Sequence, residues 1–373
     1  MPARPSLLCW TRSWREVRVD QLLPSLVTGD AISAHAAGLQ QALVDLGHRS
    51  DIYVSEAGSA PLPGVATRRA EEMDGGTDVV LYHLSAGSEV TDCFLGSTAR
   101  KVVVYHNITP PYFFEGWDPP MAELMRQGYR DLRRCAPLAQ LGIGDSAYNC
   151  RALRAAGFAR TAVLPVLVGD RYAPGEPAPA GTFGAELAER RRGGPLWLFV
   201  GRFVPSKCQA DVVRAFAAYR RAVQSRAALV LIGAPVTASY RDAVLDLAGR
   251  LGVADAVVVR GPVSDADLEA AYRAADVLVC LSEHEGFCVP LVEAMQHGVP
   301  VVAYAAGAVP ETAGDAAVLL SAKDPVVVAA AVDGVLSEPG LREELLRRGR
   351  RRASELSAEA TRRRVPALLD EIL

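Results

Sequence analysis

The sequence predicts an α/β protein of two domains, each with a parallel sheet wound on both sides by helices. Three observations carry that reading. Short apolar runs of four to six residues alternate with amphipathic segments along almost the whole chain, the pattern of strands covered on both faces. At 373 residues the chain exceeds what one hydrophobic core usually organises. Residues 173–195, APGEPAPAGTFGAELAERRRGGP, are rich in Pro, Gly and Ala and divide the pattern in two. The chain therefore divides into a first domain over 1–172, a linker over 173–195, a second domain over 196–352 and a terminal segment over 353–373.

In the first domain, residues 17–28 lead to Gly29 and Asp30, and Ala31 to Leu46 has helical spacing up to Gly47. Gly29 lets backbone approach a ligand closely. His35, one turn inside that helix, reads equally well as a packed or surface histidine and as a ligand. Asp51 to Val54, DVVLYH at 78–83 and KVVVYH at 101–106 are further strands. The last two end in His83 and His106, at the strand ends where α/β sites form. An imidazole there can hydrogen-bond a hydroxyl or steer a proton. YFFEGWD at 112–118 packs four aromatics into seven residues, either as core or as a stacking surface for sugars. Ser146 is placed to cap a helix over 149–156, and Val163 to Val168 reads as the next strand.

The second domain opens with LWLFV at 196–200, followed by Gly201, Arg202 and, five residues on, Lys207. A strand, a glycine-bearing loop with two cations and then a helix form a phosphate-binding design. The spacing is not that of a Walker loop. Strands follow at 228–233 and 256–260. Ser264 and Asp267 form a capping box for a helix over 268–275, and this explains Asp265 and Asp267 without a metal.

The densest stretch is DVLVCLSEHEGFCVPLVEAMQHGVPVVAYAAGAVPET at 276–312. It reads as strand, polar loop, helix, strand, with Pro290 opening the helix and Gly298 ending it. Glu285 and Glu293, seven residues apart, fall near the strand's carboxyl end, where such units bind ligands. The N–H groups of Gly286, Phe287, Cys288 and Val289 suit an anion. Carboxylates for sugar hydroxyls beside an anion-binding helix start describe a nucleotide-sugar pocket. The plain alternative makes Glu285 a solvated loop charge and Glu293 a surface helix residue.

EGFCVPLVE resembles the E-x7-E signature of the retaining glycosyltransferases of family 4, and the likeness continues through GVPVVA to GAVPE at 307–311. The resemblance implies a GT-B architecture, two Rossmann-like domains facing a cleft. It implies a hexose-type sugar moving from a nucleoside diphosphate donor to an acceptor hydroxyl on a polysaccharide, glycolipid or small molecule. On this basis Arg202 and Lys207 clamp the donor phosphates beside Gly201, Glu285 orients the sugar and Glu293 holds the ribose. His106 faces the sugar from the other domain, while Gly29 and Asp30 lie beside the phosphates. Cys288 stands where many members have Gly. Pro165 to Asp170 departs from the family's Asn-Gly pattern at the end of the first domain. The family usually needs no metal and no cofactor, and its last helix commonly crosses back to the first domain. Another nucleotide-sugar enzyme on this fold, such as an epimerase or hydrolase, or a non-catalytic binding subunit, shares most of these features.

Composition bounds the setting. Net charge is −3, so there is no bulk attraction to nucleic acid or to an anionic membrane. The arginine clusters at 347–352 and 362–364 read as solvated helix faces. Seven scattered cysteines without C-x-x-C fit reduced thiols in a cytoplasm. The N-terminus lacks a signal-like apolar core, and no run reaches the ~20 residues of a membrane span, which leaves only peripheral membrane contact. No G-x-G-x-x-G follows a first strand, which argues against a dinucleotide-dependent oxidoreductase.

Overall fold

A computed structural model describes residues 16–55, 62, 64–168 and 181–373. The N-terminal segment, Cys9, Gly169, Asp170 and the first part of the expected linker lie outside the described residues.

In the first domain the strands are β1 (Val19–Leu23), β2 (Ile52–Val54), β3 (Thr67–Arg69), β4 (Val79–Leu84), β5 (Arg100–Tyr105), β6 (Leu141–Gly144) and β7 (Thr161–Val163). Among the described residues they form one parallel sheet in the order β3-β2-β1-β4-β5-β6-β7. Its helices are α1 (Ala31–Asp45), α2 (Val90–Gly96), α3 (Pro119–Cys135) and α4 (Ala147–Ala155). The strands are apolar on both faces because helices cover both. The two larger cores hold Tyr82, Phe94 and Leu132 in one and Leu39, Val102 and Ile143 in the other, and a smaller one holds Leu23, Ala36 and Ile52.

The second domain carries α5 (Thr182–Gly193), β8 (Leu196–Val200), α6 (Gln209–Ala222), β9 (Ala228–Ile232), α7 (Ala238–Arg250), β10 (Val257–Arg260), α8 (Asp265–Ala274) and β11 (Val277–Cys280). It continues with α9 (Val289–Gln296), β12 (Val301–Tyr304), α10 (Val309–Ala313), β13 (Ala317–Leu320), α11 (Pro325–Ser337) and α12 (Pro339–Glu355). The strand order is β10-β9-β8-β11-β12-β13, again parallel. In both sheets the order reverses beside the first strand, between β1 and β4 and between β8 and β11. A crevice forms at such a switch point.

Ser264 accepts a hydrogen bond from Asp267 N at 3.1 Å and donates to its carboxylate at 2.8 Å, the reciprocal cap expected of that pair. The helices α13 (Ala358–Arg362) and α14 (Val365–Ile372) pack on the first domain. Val365, Leu368, Leu369 and Ile372 share a core with Val19, Leu39 and Val102. On α12, Arg347 and Arg351 are exposed and paired with Glu344 and Asp315, whereas Arg342 and Arg352 turn inward to the carbonyls of Asp276, Glu311 and Thr312.

Two expectations need correction. The segment read as linker contains α5, whose Phe183 and Leu187 are buried against the second sheet. Its glycines and prolines hid a run of Ala, Leu, Glu and Arg, all good helix formers. The strand expected over 163–168 is Thr161–Val163 instead. Pro165 has no N–H to give the ladder, so the chain leaves the sheet. Val166 and Val168 then pack with Phe287, Val292 and Leu356, and the apolar spacing belongs to that cluster between the domains.

Candidate active site

The loop from Leu281 to Cys288 joins β11 to α9 at the second sheet's switch point. Glu285 and Glu293 are 6% and 5% exposed. This removes the alternative in which they are solvated surface charges. A buried carboxylate needs partners. Lys207 Nζ donates to Glu285 Oε1 at 2.6 Å, and Tyr272 Oη donates to Glu293 Oε2 at 2.7 Å. Burial works against the charge on Lys207, but the Glu285 carboxylate outweighs it and holds the ammonium's pKa above its ordinary value.

The motif's downstream half scaffolds this loop. Ala308 N donates to Glu285 O at 2.9 Å, and Thr312 Oγ1 donates to Phe287 O at 2.5 Å. Gly307 lies so close that a Cβ there would stand 2.6 Å from Glu285 O. The N–H groups of Gly286, Phe287, Cys288 and Val289 find no acceptor among the described residues. Cys288 adopts φ +73°, the left-handed region that favours glycine. The residue standing in place of the family's glycine is therefore more than a small filler: it holds a strained backbone at a cost of about 1–2 kcal/mol. Burial pushes its thiol's pKa well up, so it stays protonated.

Gly201, Arg202 and Lys207 follow β8 across the same switch point. Glu283 N donates to Ser206 O at 2.9 Å, which ties this loop to the first. Arg202 is exposed and makes no ion pair among the described residues. On the first domain Gly29 has φ +82° and open space where a Cβ would be. Asp30 differs from the expectation: its carboxylate caps α1, accepting from Ser33 N at 2.9 Å and Ser33 Oγ at 3.0 Å.

The two domains meet over this loop. Ser146 Oγ donates to Gly286 O at 2.7 Å, and Ala147 N and Tyr148 N donate to the Glu311 carboxylate at 2.7 and 3.2 Å. His284 Nε2 donates to Ile108 O at 3.1 Å. A Cβ on Gly286 would stand 2.5 Å from the Cβ of Asn107, itself at φ +70°. In the aromatic stretch Phe114 is core and Tyr112 is exposed, while Trp117 stands edge-on to Tyr240 of the second domain at 5.2 Å.

His106 departs from its expected role. Its side chain is buried and both ring nitrogens face inward, Nδ1 toward Asp145 at 3.0 Å and Nε2 toward His83 Nδ1 at 2.8 Å. The imidazole is therefore not free to face a sugar. His83 and His35 are buried beside it. In the sequence His83 is only a strand-end imidazole without support from the family resemblance, and His35 is open. Asp145 was missed, although a carboxylate directly after an apolar strand was a signal. Gln21 was also missed, a polar residue inside the apolar strand β1.

Burial lowers the pKa of His35 to about 3 and that of His83 well below its ordinary value. In the unfolded chain both titrate near 6.5. Below that pH the unfolded chain takes up protons that the folded one refuses, so stability falls as pH falls toward the folded values. Each contributes on the order of 1 kcal/mol per pH unit. The melting temperature should drop between about pH 7 and about pH 5, and His35→Gln should flatten that drop. A melting temperature indifferent to pH across this range would contradict the neutral buried assignment.

Two facing Rossmann-like domains with a loop site at each switch point define the GT-B fold of glycosyltransferases, and solved structures of that architecture superpose on this chain. Residues 188–352 match the family model described as glycosyl transferases group 1, and these are the residues that carry the Lys207, Glu285 and Glu293 arrangement. A D-inositol 3-phosphate glycosyltransferase of Salinispora arenicola is 36% identical over 187 residues, 47% of this chain and 42% of that protein. One from Frankia alni is 32% identical over 211 residues, 54% of this chain and 51% of that protein. The chain thus aligns with about half or less of the length of these relatives. The Anabaena protein HepE, solved with UDP-glucose, has a TM-score of 0.75 at 17% identity, covering 95% of this chain and 100% of that one. Sucrose-phosphate synthase from Thermosynechococcus elongatus has a TM-score of 0.73 at 18% identity, covering 95% and 99%. Among the described residues no helix is long and apolar enough to cross a membrane.

Proposed function

We propose that the protein is a retaining glycosyltransferase that moves a hexose-type sugar from a nucleoside diphosphate donor to an acceptor hydroxyl. The observation that carries this is the buried Lys207–Glu285 pair at the switch point, with Glu293 on the helix that follows. Lys207 and the exposed Arg202 would neutralise the diphosphate as it gains charge on leaving. Glu285, held by Lys207, would accept hydrogen bonds from the sugar, and its engagement with that ammonium argues against a nucleophilic role. Glu293 would take the ribose hydroxyls. The unpaired N–H groups from Gly286 to Val289 suit the phosphates. Gly29, with open space beside it, would let the first domain's backbone approach the phosphates, and Asp30 would support it by capping α1.

No side chain is placed as a nucleophile. The acceptor would attack on the face the leaving group vacates, with the departing phosphate helping to take its proton. Rate enhancement would then come from positioning and charge stabilisation. No metal or cofactor is part of this reading, and a cytoplasmic setting is proposed with it.

The relatives' name makes an inositol phosphate the first acceptor to try. Release of nucleoside diphosphate should depend on an added acceptor, and the product's anomeric configuration should match the donor's. Equal release without any acceptor would favour a hydrolase or epimerase instead, and an inverted product would refute retention.

A further inference from the structure

Gln21 of β1, His35 of α1, His83 of β4, and His106 and Asp145 just beyond β5 and β6 converge under the first sheet's switch point, all buried. Their hydrogen bonds fix where the protons are. Gln21 Nε2 donates to Ala36 O at 2.9 Å, which turns Oε1 toward His83 Nε2 at 2.8 Å. His83 Nε2 must therefore carry a hydrogen, and its Nδ1 is the acceptor. The rings of His83 and His106 are parallel to within 5° with centroids 5.1 Å apart, and with the facing nitrogens at 2.8 Å they lie end to end, so the contact is an in-plane bond donated by His106 Nε2. On its other side His106 Nδ1 faces both oxygens of Asp145, at 3.0 and 3.1 Å. A carboxylate only accepts, so that nitrogen is a donor as well.

His106 is also the link to the donor loop. Its neighbour Asn107 presses on Gly286, and Asn149 Nδ2 holds Tyr105 O at 3.1 Å. We propose that Gln21, His83 and Asp145 are positioning residues for the transfer reaction, a hydrogen-bonded chain that keeps His106 doubly protonated and locks the loop at 105–108 against Gly286. This rests on the transferase reading above. It differs from a sugar-reading role for His106, because the imidazole acts from beneath through its backbone.

Three imidazoles in one place also suggest a transition-metal site, but His35 argues against one. Its Nδ1 accepts from Leu167 N at 3.0 Å, so the proton sits on Nε2, which has no partner. A ligand nitrogen needs a lone pair, and ligating histidines donate through the other nitrogen.

The test is a nitrogen-15 spectrum of the histidine rings in the full chain, with kinetics of Asp145→Asn and Gln21→Met and a metal analysis of the purified protein. Both nitrogens of His106 should be protonated, and His83 and His35 should be neutral with the proton on Nε2. Asp145→Asn should remove the double protonation and lower kcat by up to about 100-fold, the scale of a site displaced by a change away from the chemistry. The donor KM should stay close to that of the wild type, and Asp145→Glu should recover part of the loss. Gln21→Met leaves the carboxylate in place; it should release the His83 tautomer and lower kcat in the same direction, and it serves if Asp145→Asn does not fold. A singly protonated His106, or a stoichiometric transition metal, would overturn the chain. Normal spectra with unchanged kcat in both variants would overturn its positioning role. A wild-type protein inactive with every donor and acceptor would overturn the transferase reading, and the positioning role with it, while the spectra would still judge the network.

Discussion

Lys207→Ala should lower turnover by about 10²- to 10³-fold, the loss that follows removal of one transition-state donor. The same change should weaken the fold. Lys207 and Glu285 are 2.6 Å apart with side chains 19% and 7% exposed, so the pair is largely out of water. Removing the ammonium strands a buried carboxylate, at a cost of about 3–5 kcal/mol. The two effects separate in Lys207→Ala/Glu285→Gln, which has no charge left to strand. Denaturant unfolding should show much of the stability restored in the double variant, while turnover stays low. Near-native turnover in Lys207→Ala would remove the phosphate clamp from the mechanism.

A second large loss of stability is expected from Gly233→Ala. Gly233 follows β9, and its N–H bonds to Arg260 O at 3.0 Å while Gly201 N bonds to Ile232 O at 2.9 Å. A Cβ at Gly233 would stand 2.0 Å from Gly201 O and 3.1 Å from Arg202 N. These are backbone atoms, so no rotamer change relieves the clash. Ordinary overpacking costs about 1–3 kcal/mol, and a backbone collision at this distance should exceed that. Relief requires moving the loop that bears Arg202, so donor affinity should fall along with stability. Gly252→Ala is the control. That glycine has φ +70° but nothing within 4 Å, and only the left-handed strain of about 1–2 kcal/mol applies. A Gly233→Ala protein as stable as the wild type would show that the two strand ends are not so tightly packed.

Local signals made most of the fold legible. Apolar runs marked the parallel strands, Ser264 and Asp267 marked a helix start, and Pro290 and Gly298 bounded α9 to within two residues. The cations after β8 and the glutamates around α9 were legible because each lies next to a strand end, where ligands of such sheets bind. The parts that failed depend on distant neighbours. Helix α5 was hidden by its Gly- and Pro-rich surroundings and is held by burial of Phe183 and Leu187. Val166 and Val168 look like strand residues until Val292 and Phe287 arrive from the other domain. Gln21, His83 and Asp145 sit on three separate strands or strand ends, and only the sheet order brings them to His106. The left-handed backbone at Cys288 had no signal beyond the missing glycine.

The most direct test is calorimetry and thermal shift with UDP, GDP, ADP and dTDP and their sugars, on the wild type and on Glu293→Ala. A donor at about 100 times its Kd should stabilise the fold by roughly 2.7 kcal/mol. The account predicts one clear nucleotide class, with binding lost in Glu293→Ala. No stabilisation by any nucleotide, or equal binding in Glu293→Ala, would contradict a donor site built on the loop from Leu281 to Cys288 and α9.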